Sequence, residues 1–175
     1  MAKDEILFVC KYFTIFKRMV RLPTGKMYPL YGMNRSDGAV IVPLHKGKLV
    51  MLRHYRAGID GWDYEVPMGF INKGEDPKKA AIRELEEETG YKAKKVRYLF
   101  SSFLSPAFTK QRGYFYLAEC GSRTDHGNPD KTEVAEVVLM SLPKAMEMIK
   151  RNKIRGATTI QAILFYDKYA KSARA

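Results

Sequence analysis

Apolar residues along this chain fall mainly into short runs of strand length, and only three segments carry them at helical spacing. Strands are predicted over residues 8–21, 27–31, 39–43, 48–54, 62–66, 93–103, 113–120 and 133–141. Leu22-Pro23-Thr24-Gly25-Lys26 supplies turn chemistry between the first two, and a turn around Lys46-Gly47 links the third to the fourth. A helix is predicted over 78–89, built mostly of strong helix formers, with Asp76 as N-cap, Pro77 at the first position and Gly90 as the stop. Two more helices close the chain. Ser141 caps residues 142–151, which place Leu142, Ala145, Met146 and Ile149 on one side. Thr158 or Thr159 caps the last, whose face includes Ile160, Ile163, Leu164 and Tyr169. The order implies an α+β fold, an α/β/α sandwich around a mixed sheet. Residues 1–35 read as a small antiparallel β unit and 36–175 as the main domain, with 121–131 (GSRTDHGNPDK) as a surface loop.

Composition narrows this little. A chain of 175 residues with 46% hydrophobic content can bury a single core. The apolar run near the N-terminus is too short and too interrupted by charge for a signal peptide, and nothing approaches the length of a membrane span. Cys10 and Cys120 lack a metal-ligand spacing and are expected to be buried, reduced thiols, as in a cytoplasmic protein. His45, His54 and His126 are scattered and are read as structural or solvent-exposed.

Charge changes the picture more. The chain carries 31 Lys and Arg against 19 Asp and Glu, yet residues 75–90 alone hold six acids and three bases, leaving 28 bases and 13 acids elsewhere. On the predicted helix Glu84, Glu87 and Glu88 stand at i, i+3 and i+4, so the three carboxylates share one face. Taken alone, such a face is usually just solvated. Within so basic a chain, hard oxygen donors at that spacing suit Mg2+ or Mn2+ shared with a phosphate substrate. Glu84 and Glu88 also repel each other unless something positive sits among them. The remaining basic excess is read as phosphate steering or solubility, because no zinc finger, helix-turn-helix or RNA-recognition aromatic motif accompanies it.

Residues 69–91, GFINKGEDPKKAAIRELEEETGY, fill the pattern G-x5-E-x7-R-E-hydrophobic-x-E-E-x-G-hydrophobic. This stretch is identified as the Nudix box, with Tyr91 in a slot the family more often gives to Ile, Leu or Val. Four further stretches resemble the ADP-ribose pyrophosphatase branch, which cleaves nucleoside diphosphate sugars. Val20-Arg21-Leu22-Pro23-Thr24-Gly25-Lys26 is similar to its N-terminal hairpin, and Leu52-Arg53-His54-Tyr55-Arg56 to its RQYR strand. Tyr64-Glu65-Val66-Pro67-Met68-Gly69 resembles ELPAG, and Ser105-Pro106-Ala107-Phe108 resembles SPGF, with Pro106 sixteen residues past Gly90. The resemblance implies that Glu84 and Glu88 bind divalent ions, that Glu87 is a further ligand or orienting group, and that the Met68 carbonyl completes the shell. It gives Gly69, Glu75, Arg83 and Gly90 structural roles in the motif. Arg35, Arg56 and Ser105 would hold the substrate, and Tyr12 and Phe13 would form a platform for its base. The branch also implies a homodimer through the N-terminal sheet, and from ADP-ribose the products AMP and ribose 5-phosphate.

One departure bears on mechanism. The branch commonly reads SPGF followed by Ser/Thr, Asp/Glu and the loop Glu that serves as base; here Lys110 and Gln111 take the last two places. An amide cannot accept a proton from an attacking water. Another carboxylate can serve, such as Glu87 or one from residues 121–136; the chain can be a slow enzyme or a sensor; or Gln111 is an isosteric replacement of a native Glu. The third is favoured by the intact metal pattern, and under it Gln111→Glu should raise turnover by orders of magnitude. Two alternatives stay open beside the hydrolase: a nucleotide-sugar or RNA sensor, and an RNA 5'-end pyrophosphohydrolase.

Overall fold

The computed structural model describes residues 3–124 and 134–170. Ten strands and three helices follow in the order β1 (Glu5–Val9), β2 (Thr14–Arg21), β3 (Met27–Asn34), β4 (Gly38–His45), β5 (Lys48–Arg56), β6 (Gly61–Glu65), β7 (Met68–Phe70), α1 (Pro77–Thr89), β8 (Tyr91–Phe103), β9 (Arg112–Arg123), β10 (Ala135–Met140), α2 (Leu142–Lys150) and α3 (Ala157–Phe165). The first three strands form their own antiparallel sheet. The rest form a seven-stranded sheet along β10-β5-β4-β9-β8, with β6 beside β5 and β7 beside β4. Only β4 and β9 run parallel, so the sheet is mixed.

The core sits on both faces of β4. Every residue from Ala39 to Leu44 is buried, as expected of a strand covered on two sides. Alternation then sorts them: Ala39 and Ile41 pack with Ala80, Ala81 and Leu85 of α1, whereas Val40, Val42 and Leu44 face Ala162 and Ile163 of α3 and Ala145 of α2. β9 repeats the pattern, sending Phe115 and Leu117 toward α3 and Tyr116 and Ala118 toward α1. Tyr91, the unusual residue in its motif slot, is 6% exposed within the α1-side core, so its ring fills the place of an aliphatic side chain.

Several expectations are corrected. The single strand over 8–21 is two strands, because Cys10 N–H donates to Phe13 O at 3.0 Å and closes a reversal that contains no Gly, Pro or Asn. The strand over 113–120 continues to Arg123, so residues 121–123 belong to β9 rather than to a loop. His126 and most of the loop over 121–131, with the first residue of the strand over 133–141, lie outside the described residues. Neither Thr158 nor Thr159 caps α3. Its N-cap is Gly156, and the buried Thr159 hydroxyl instead accepts from Val66 N–H at 3.3 Å. Tyr169 lies beyond α3 in a π-helical turn and is exposed. Of the two readings of the histidines, the structural one fits His54, which is buried, and His45, which is half-buried with its ring 5.0 Å from that of Tyr91. Cys10 and Cys120 are only half-buried, although burial still pushes the Cys120 thiol up to about 11.

Candidate active site

Local chemistry sets the position of α1. The Asp76 carboxylate accepts from Lys78 N–H and Lys79 N–H, each at 3.0 Å, and Pro77 follows without a donor to leave unsatisfied. Gly90 ends the helix at φ 72°, where a side chain would be strained. Ahead of the helix, Asn72 N–H donates to Glu75 Oε2 at 2.9 Å, which closes the entering loop.

Arg83 is the hub of this region. Its Nε and Nη2 bond both oxygens of Glu75 at 2.9 and 3.1 Å, and Nη2 also donates to Phe70 O at 2.9 Å. The Nη1 group is shared by Glu84 Oε1 at 2.7 Å and Glu87 Oε2 at 2.9 Å. The positive charge that the acidic stripe requires therefore comes from inside the helix. Chiefly through its bonds to Arg83, the Glu75 carboxyl is held down to about 2, and it stays ionised across the physiological range. In the other direction, the bond to Glu75 raises the Arg83 pKa, and desolvation opposes it. Glu88 turns toward the sheet, where its Oε2 accepts from Met68 N–H at 3.0 Å.

These groups line a cleft of about 720 Å³, a size typical of small-molecule sites. Glu84, Glu87 and Glu88 line it with Met68, Gly69 and Arg83. Arg35, Arg56, Tyr12 and Gln111 also reach it. The Arg35 guanidinium lies 4.4 Å from the centre of the Phe70 ring. Arg56 is steered by Glu65, whose oxygens accept from its Nε at 3.0 and 3.1 Å.

Other expected residues are elsewhere. Phe13 is half-buried beside Phe8, with ring centres 6.1 Å apart, and does not line the cleft. Ser105 uses its carbonyl to accept from Phe108 and Thr109 N–H, closing the loop after β8, and is not part of the lining either. Gly90 and Glu75 act through the helix end and the Arg83 hub. Sequence reasoning missed Phe70, Asn72, Leu104 and Thr158, all of which line the cleft. Phe70 and Asn72 lie inside the motif stretch and could have been found by their alternation with Met68. Thr158 and Leu104 arrive from distant elements and carry no local signal.

Among the described residues no three His, Cys, Asp or Glu side chains converge on a single ion position. The donor set nevertheless suits a hard divalent cation, because three carboxylates and Met68 line one cleft. Glu84 lies so close to Gly69 that a Cβ there would come within 2.1 Å of its Cδ, so the missing side chain makes the cradle in which this carboxylate rests.

The NUDIX domain family model matches residues 34–162. The chain is 32% identical over 167 residues to the ADP-ribose pyrophosphatase of Bacillus subtilis (strain 168), covering 94% of this chain and 90% of that protein. It is 34% identical over 128 residues to the methanol dehydrogenase activator of Bacillus methanolicus, covering 73% and 69%. Similarity to the GDP-mannose pyrophosphatase of Klebsiella pneumoniae is 29% over 137 residues, with the same two coverages. Among solved structures, an ADP compounds hydrolase matches 98% of this chain and 93% of its own with TM-score 0.85 at 21% identity, which speaks to the fold. This chain belongs to the Nudix family. It is an enzyme of that family, a Nudix hydrolase. Among the described residues no helix is long and apolar enough to cross a membrane.

Proposed function

We propose that this chain hydrolyses the pyrophosphate bond of ADP-ribose or a related nucleoside diphosphate sugar, releasing a nucleoside monophosphate and a sugar phosphate. The observation that carries the reading is the meeting, in one cleft, of a three-carboxylate helical stripe with Arg35 and Arg56. Such a site binds a diphosphate through its arginines and through ions held by its acids. The names of two relatives, ADP-ribose pyrophosphatase and GDP-mannose pyrophosphatase, favour the same substrate class.

In this reading Glu84, Glu88 and the Met68 carbonyl would hold Mg2+ or Mn2+, with Glu87 beside them. When bound, the ion would supply neutralisation of phosphate charge and a lowered pKa for a water placed for in-line attack. Arg35 and Arg56 grip the phosphates or the terminal sugar. Tyr12, the aromatic of the N-terminal segment that lines the cleft, stacks on the base. Glu87, whose side chain is 54% exposed against 13% for Glu84, would accept the water's proton on Oε1, because its Oε2 is held by Arg83 Nη1 at 2.9 Å. A cytoplasmic location goes with this reading, and both cysteines are free thiols.

The test is a hydrolysis screen of this chain, with and without divalent metal, over ADP-ribose, ADP-glucose, GDP-mannose, NADH, dinucleoside polyphosphates and capped RNA. Metal-dependent cleavage of the diphosphate sugars above all others is expected. Binding without cleavage would replace the enzyme with a sensor, and preference for capped RNA would move it to the RNA 5'-end class.

We also assign residues 1–35 to a dimerisation unit and 36–175 to the catalytic domain. On one face of the three-stranded sheet, the register brings together Phe8, Met27 and Tyr31, each more than half exposed, an apolar display that a second copy would cover. Sedimentation should give twice the monomer mass at micromolar concentration, and a chain that stays monomeric would end this assignment.

A further inference from the structure

The loop that follows β8 is fastened to the segment that carries Arg35. Three hydrogen bonds cross between them. Met33 N–H donates to Phe108 O at 2.8 Å, Gln111 Nε2 donates to Ser36 O at 2.7 Å, and Arg112 N–H donates to Asp37 Oδ1 at 2.8 Å. Gln111 is braced in turn: its N–H donates to Thr109 Oγ1 at 3.1 Å, and its carbonyl accepts from Leu104 N–H at 3.0 Å. Gln111 and Thr109 are both buried, so the bond between them is shielded from water, while the bond to the exposed Ser36 is shielded on the Gln111 side only. Arg35 hangs from the middle of the fastened segment, between Met33 and Ser36, with its guanidinium over Phe70.

We propose that Gln111 is a positioning residue for Arg35: its side-chain amide fixes the Ser36 carbonyl, and with it the backbone that directs Arg35 into the cleft. For its effect on substrate, this rests on the reading of the cleft given above. Glutamine and glutamate have the same shape and differ here in one respect. An amide nitrogen donates to a carbonyl, whereas an ionised carboxylate has no proton to donate and would set one acceptor oxygen against another at 2.7 Å. Ser36 is exposed and its carbonyl can turn to water, but the side chain at position 111 is buried, so a carboxylate there loses solvation as well as its bond and meets the Ser36 oxygen as a repulsion. The Gln111→Glu exchange therefore loosens Arg35 instead of supplying a base, contrary to what the comparison with the branch's loop motif suggests.

Two measurements on the full chain decide this. Amide hydrogen exchange without ligand should show Met33 and Arg112 exchanging at least about tenfold faster in Gln111→Glu, while the amides of Ile41 and Val42 in β4 keep their rates. Steady-state hydrolysis of ADP-ribose should show KM raised about tenfold with no gain in kcat, and in an Arg35→Ala background the same exchange should leave KM unmoved. Unchanged exchange at Met33 and Arg112 would overturn the proposal, as would a rise in kcat of tenfold or more. If Gln111→Glu does not fold, Gln111→Met removes the donor without adding charge and is held to the same outcomes. Should the unaltered protein cleave none of the diphosphate sugars, the proposed function fails, while the exchange rates still decide the role of Gln111.

Discussion

Glu84→Gln is expected to lower kcat/KM on a diphosphate sugar by about 100- to 1,000-fold, corresponding to the loss of several kcal/mol of transition-state stabilisation from a metal ligand. The exchange keeps the shape of the side chain, and its amide oxygen can still accept from Arg83 Nη1, which now bonds Glu84 at 2.7 Å. Packing against Gly69 is also retained, so the melting temperature should move little. What disappears is one negative charge among the oxygens that would bind the ion. The divalent concentration needed for half-maximal rate should therefore rise together with the loss in rate. Activity within threefold of the unaltered chain, at unchanged metal requirement, would remove Glu84 from the metal site.

Gly69→Ala should produce a comparable loss by a different route and with a different signature. No glycine-only backbone angle is involved; the constraint is space. A Cβ on residue 69 would meet Glu84 Cδ at 2.1 Å and its two oxygens at 2.2 and 2.3 Å. These separations are far inside van der Waals contact, and the atoms met are the end of a flexible side chain, so Glu84 swings away and forfeits its bond to Arg83. A melting temperature lowered by the loss of that bond and a hundredfold or greater loss of activity should thus appear together, whereas Glu84→Gln should show only the second. An alanine variant with full stability and full rate would mean that Glu84 has another place to go at no cost.

Much of the main sheet and of α1 could be read in advance because their signals are local. The run over 39–43 is uniformly apolar since both faces of β4 are covered, and the caps of α1 are written in Asp76, Pro77 and Gly90 themselves. The errors occur where a local signal is silent or points elsewhere. The reversal at Cys10–Phe13 is closed by a backbone bond without a turn-forming residue, so periodicity ran on through it. Thr159 resembled a helix cap, but its hydroxyl bonds Val66 N–H, 93 residues away in sequence. β7 is three residues long and exists because Gly38–Val40 offers it an edge to pair with. Within the site, the acidic stripe and Arg83 were legible because they share one helix. Gln111 was read only as an acid replaced by an amide, because its partner, the Ser36 carbonyl, lies 75 positions earlier.

The bond from Met33 to Phe108 joins two regions that could otherwise be treated separately. β3 ends at Asn34, one residue before Arg35, and its Met33 amide grips the loop that holds Gln111. If a second copy covers the apolar sheet, it also stiffens the strand from which Arg35 emerges, so self-association and ligand affinity become linked quantities. Reciprocity then requires that whatever factor dimerisation adds to substrate affinity, saturating substrate adds to the dimer's own association constant.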